Sequence, residues 1–188
     1  MAYLLSTEAM INELPLYPVD RPAVAPGCVD FGKTECFYAC LSALTQFHDN
    51  WFTFTPQEIL GVPMPLHMLA HRATHILYRL ALLDDPAWDR AAVTHVIDPL
   101  AALERCADLC TAVPAAIGLE TDGSDIYNRI AAVQRETIPI WRKALEEAGV
   151  SSGHLGNAGG AIGVEDLPTT DLAFDGWFNE SFPPFNPF

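Results

Sequence analysis

Residues 35–51 read ECFYACLSALTQFHDNW, and their apolar positions decide the fold class. Phe37, Cys40, Leu41, Leu44, Phe47 and Trp51 recur at i, i+3, i+4, i+7, i+10 and i+14. At 3.6 residues per turn that spacing winds them onto a single stripe of an α-helix. Downstream, Pro56 and the Gly61–Pro63 turn interrupt the pattern.

A second helix is expected from near Pro65, since proline is tolerated where early helical N–H groups lack partners anyway. Its stripe is Leu66, Leu69, Ala73, Ile76, Leu77, Leu80 and Leu83. Asp84 and Asp85 before Pro86 signal the start of a third. That helix carries Val93, Val96, Ile97, Leu100, Leu103 and Cys110, with a break or kink at Pro99. A fourth is expected from Ser124 and Asp125 through Ile126, Ile130, Val133, Trp141 and Leu145 to Gly149, bent at Pro139. No stretch alternates with period two, so no sheet is expected. The reading is all-α: an antiparallel bundle of about four to five helices, followed by a flexible acidic C-terminal tail.

The flanks have a different composition. Residues 1–33 hold Pro15, Pro18, Pro22 and Pro26 and read as an irregular segment with a short helix near 7–14. Residues 34–149 form the helical domain. Residues 150–163, rich in Gly and Ser, read as a linker. Residues 164–188 alternate Asp and Glu with Leu172, Phe174, Trp177, Phe178 and Phe182, an acidic-hydrophobic pattern that suits a segment ordering on a partner.

The whole chain of 188 residues carries 24 acidic and 10 basic residues, a net charge of −14. Its only lysines are Lys33 and Lys143, too few for a phosphate-binding surface, so no direct nucleic-acid binding is expected. Docking on anionic lipid is disfavoured for the same reason. The N-terminus has no basic segment followed by a long apolar run, and no stretch of about 18 apolar residues occurs, so a soluble, intracellular chain without a membrane partner is expected. Five cysteines, an odd number, suit a reducing compartment.

Candidate chemistry is sparse. His67, His71 and His75 fall at i, i+4 and i+8 and share one side of a helix, the spacing by which two adjacent imidazoles can hold a metal. The favoured reading is a solvated or partner-facing side, opposite the leucine stripe. Cys36 with Cys40 and Cys106 with Cys110 repeat the spacing, but i, i+4 is also core spacing for a small apolar residue. No nucleophile elbow, phosphate loop or H-E-x-x-H is present, so no catalytic residue and no cofactor are assigned. Phe37, Phe47, Trp51, Phe52, Trp88 and Trp141 could enclose a ligand pocket, although filling the core is favoured. In the tail, Asp171, Leu172, Phe174, Asp175, Trp177 and Phe178 are the candidate partner-binding residues.

The run ECFYACLSALTQFHDNWFTFTPQEILGVPMPLHMLAHRATHILYRLALLDDPAWDRAAV, residues 35–93, resembles the C-terminal regulatory region of fungal Zn2Cys6 (binuclear zinc cluster) transcription factors. The most specific pieces are ECFYACL, LYRLALLDDPAWD and the later DIYNRI helix with Trp141. The resemblance spans roughly residues 14–148, and the Asp175–Gly176–Trp177–Phe178 element is similar to the acidic ends of such factors. The six-cysteine DNA-binding cluster of that family has no counterpart here. The resemblance implies a regulatory and activation part of a nuclear factor that acts by binding a coactivator or small-molecule effector, with homodimer contacts open. The alternative is a stand-alone helical small-molecule-binding protein or enzyme derived from such a factor.

Overall fold

In this computed structural model, residues 1–16, 30–120 and 122–150 are described. The elements are α1 (Ala2–Asn12), a 3-10 turn (Leu14–Leu16), α2 (Phe31–Trp51), α3 (Pro56–Leu60), α4 (Met64–Leu82), α5 (Arg90–Val96), α6 (Pro99–Ala116) and α7 (Ile126–Glu147). Among the described residues there is no strand. The all-α bundle expected from the apolar stripes is what forms: four long helices with α1 against them, and short α3 and α5 between.

Side-chain caps start five of the helices. Asp30 accepts from the Lys33 amide, Asp89 from Ala91, Asp98 from Leu100 and Asp125 from Tyr127 and Asn128, at 2.9–3.1 Å. Thr55 and Glu58 form a reciprocal capping box on α3, each satisfying an amide the helix leaves open. Part of the acidic surplus is therefore structural, because a carboxylate at a helix N-terminus meets the positive end of the helix dipole. At the far end of α7, Gly149 takes φ 73°. Its amide donates to the Glu146 carbonyl, and the Val150 amide to Leu145, at 3.0 and 2.8 Å. This closing pattern needs a left-handed residue, which glycine adopts without cost.

The whole stripe of α2 is buried: Phe37, Cys40, Leu41, Leu44, Phe47 and Trp51 are all at most 5% exposed. It packs on α1, where the Cys40 thiol donates to the Ala9 carbonyl, and on α4. The LDDPAW segment is not helical. Asp84 and Asp85 anchor the crossing: Lys33 Nζ lies 2.8 Å from Asp85, and Arg90 lies 2.9 Å from Asp84. Trp88 tucks beneath, its Nε1 donating 2.8 Å to the Leu80 carbonyl and its ring edge-on to Phe37. The third expected helix is thus corrected: it does not begin at Pro86 but at Arg90. Of the break or kink expected at Pro99, a break is what forms: the run divides at residues 97–98, where Asp98 caps a new helix whose first residue is Pro99. Proline kinks a helix interior, but at the first position it starts one.

α4 is the central helix, touching α1, α2, α5, α6 and α7. From Ala73 to Leu82 every residue except Arg79 is buried. Glu13, 2% exposed after α1, is held there by an ion pair with Arg72 of α4. Among the described residues, no helix is long and apolar enough to cross a membrane.

Candidate functional site

Because α4 is enclosed by neighbouring helices, its histidines turn inward, and the solvated face expected for them is corrected. His75 is 6% exposed, and the ring nitrogens of His71 are shielded from water. A two-faced helical pattern presumes one dry and one wet side, whereas α4 has neighbours around most of its circumference. Along its length runs a ladder of rings. Trp51 of α2 meets His67 edge-on at 5.4 Å, and His67 meets Tyr127 of α7 at 6.1 Å. His71 and His75 lie 4.2 Å apart, and His75 stands edge-on to Trp141 of α7 at 4.9 Å.

Burial sets the protonation of this seam. It holds His71 well below the ordinary imidazole value, with nearby His75 adding to the effect. Burial lowers His67 as well, against hydrogen bonds to the backbone at Ile59 and Val62 that favour its charged form. His48 of α2 is lowered by burial too. Its Nδ1 lies 2.8 Å from the Leu44 carbonyl and its Nε2 3.1 Å from the Thr74 hydroxyl. A carbonyl only accepts, so Nδ1 carries a proton, and burial disfavours a second, charging proton on the ring. Burial raises the thiols of Cys40 and Cys106 to about 12 and that of Cys110 to about 11. Such thiols are not nucleophiles at neutral pH.

Among the described residues no three His, Cys, Asp or Glu side chains come together as a metal-holding group. Neither the histidine row nor the paired cysteines Cys36–Cys40 and Cys106–Cys110 converge in that way.

The seam contains a cavity where α2, α4, α6 and α7 meet. Trp51, Met64, His67, Gln134, Cys106 and Cys110 are among its lining. Gln134 is 5% exposed and its Oε1 has no hydrogen-bond partner; His67 Nε2 also has none. Of the aromatic residues proposed for a pocket, Trp51 lines this cavity. Phe37, Phe47, Trp88 and Trp141 pack in the main core instead, and Phe52 lies under the Arg105 guanidinium at 4.0 Å. Gln134 was not singled out from the sequence. It sits among the apolar positions of α7 at four residues from Ile130 and Ile138, which is the signal that could have found it. The tail residues Asp171, Leu172, Phe174, Asp175, Trp177 and Phe178 lie outside the described residues, as do the linker and the proline-rich crossing.

Fold and site together define an all-α helical domain built around a buried seam of aromatic and histidine rings. Residues 56–187 match the ATEG07667_C family, a C-terminal domain, and the chain belongs to that family. Over 117 residues it is 33% identical to Transcription factor opdL of Penicillium oxalicum (strain 114-2 / CGMCC 5302), covering 61% of this chain and 21% of opdL. The match thus spans about a fifth of that relative's length. No solved structure matches the chain.

Proposed function

We propose that this chain is a regulatory region of a fungal transcription factor, acting through binding and not through catalysis. The observation that carries the reading is the 33% identity to Transcription factor opdL over 117 residues. The site chemistry supports it: burial keeps the Cys106 and Cys110 thiols protonated and holds His67 and His71 below the ordinary imidazole value. Such groups form a packed interior and not a nucleophile–base pair.

The finer reading is that the factor is of the zinc-cluster type, works in the nucleus, and contacts a coactivator through Asp171, Leu172, Phe174, Asp175, Trp177 and Phe178. Carboxylates keep such a segment hydrated while its aromatics enter a partner's groove. The test is a reporter gene driven by this chain fused to a heterologous DNA-binding domain. Trp177→Ala with Phe178→Ala is expected to cut activation at least fivefold while helicity stays unchanged. Undiminished activation would remove these residues from the account.

A further inference from the structure

α1 carries apolar residues around its whole circumference, a composition that belongs to a helix covered on every side. Among the described residues it has neighbours on one side only: Leu5, Ser6 and Ala9 are buried, and α2 and α4 pack there. On the other side Leu4 is 72% exposed, Ile11 61%, Leu14 57% and Tyr3 49%, with Met10 at the edge. Leu4, Thr7, Ile11 and Leu14 are spaced by three, four and three residues, which aligns them on one seam of the helix and the turn after it. The Thr7 hydroxyl donates 2.8 Å to the Tyr3 carbonyl, so Thr7 brings no unmet donor to that seam. Glu8 is the only charged side chain in α1.

We infer that this seam is the contact surface of a homodimer, in which α1 of one copy lies antiparallel across α1 of the other. The spacing itself selects a second copy, because it reads the same in both directions. A twofold axis through the middle of the seam therefore sets Leu4 against Leu14 of the partner subunit and Thr7 against Ile11 of the partner subunit. Charge selects it too. The chain carries −14 overall, which opposes association with another copy except across an uncharged face, while a basic partner is drawn to the acidic surface elsewhere. At these exposures the five large side chains present on the order of 500 Å² per copy, so the pair buries about 1,000 Å², the lower bound for a specific interface. An interface of that size suits a Kd of about 10 μM. The dimer goes beyond the regulatory reading and does not depend on it.

The test is sedimentation equilibrium of the full chain at concentrations on either side of that value. The native protein is expected to pass from one-chain to two-chain mass as concentration rises. Leu4→Glu is expected to weaken self-association at least tenfold, with circular dichroism unchanged because the side chain is exposed in the single copy. Leu14→Lys added to Leu4→Glu is expected to regain at least fivefold, since antiparallel pairing sets each new glutamate against a lysine of the other copy. A one-chain mass at every concentration would leave the face to a different partner and overturn the dimer. A dimer indifferent to Leu4→Glu would overturn the interface, and no recovery with Leu14→Lys would overturn the antiparallel pairing.

Discussion

The ring of Tyr78 is stacked on that of Trp141, with centroids 4.1 Å apart and planes 7° from parallel. This contact fastens the central helix α4 to α7. Trp141 is fully buried, and its Nε1, like the Tyr78 hydroxyl, has no hydrogen-bond partner. Burial raises that hydroxyl to about 12, so it stays protonated. The pair holds by packing and dispersion, with little help from polar contacts.

Two substitutions separate those contributions. Trp141→Ala should cost about 3–5 kcal/mol, the usual penalty for emptying a buried aromatic site. Tyr78→Phe keeps the stack and deletes an unpartnered polar group, so its stability should stay within about 1 kcal/mol of the native chain or rise. Urea melts followed by circular dichroism measure both.

The buried histidines set a pH dependence. Unfolded histidines take up protons as pH falls through about 6.5, whereas burial holds His48 and His71 below that value in the fold. The unfolded state then binds more protons, so stability is complete above that pH and declines below it. The limiting slope is about 1.4 kcal/mol per pH unit for each such group. Urea midpoints at pH 7.5, 6.5 and 5.5 should fall in that order, and His71→Gln should flatten the decline. A midpoint independent of pH over this range would refute the buried, neutral seam.

The division between α5 and α6 rests on Asp98, which accepts from the Leu100 amide at 2.9 Å and more weakly from Ala101. Asp98→Ala should destabilise the domain by about 1 kcal/mol, and Asp98→Asn by much less, since asparagine also caps. Thermal melts distinguish the two.

How far the sequence could be read depended on how many neighbours each helix has. The α2 stripe from Phe37 to Trp51 was legible because that helix buries one side. His67, His71 and His75 were misread because α4 is surrounded, and periodicity cannot distinguish a polar residue facing water from one facing a dry seam. A break or a kink was legible at Pro99, but choosing between them turned on whether Asp98 capped a new helix, which the proline alone does not tell. The short α3 was missed, although Thr55 and Glu58 carry the capping-box spacing. Gln134 escaped notice because one amide among apolar neighbours has no motif.

The regulatory reading is tested most directly by a reporter gene with the chain fused to a heterologous DNA-binding domain, as residues 1–188 and as residues 1–163. The account predicts that the full chain drives expression at least several-fold above the DNA-binding domain alone, and that removal of residues 164–188 abolishes the effect. Expression unchanged by either fusion would contradict it.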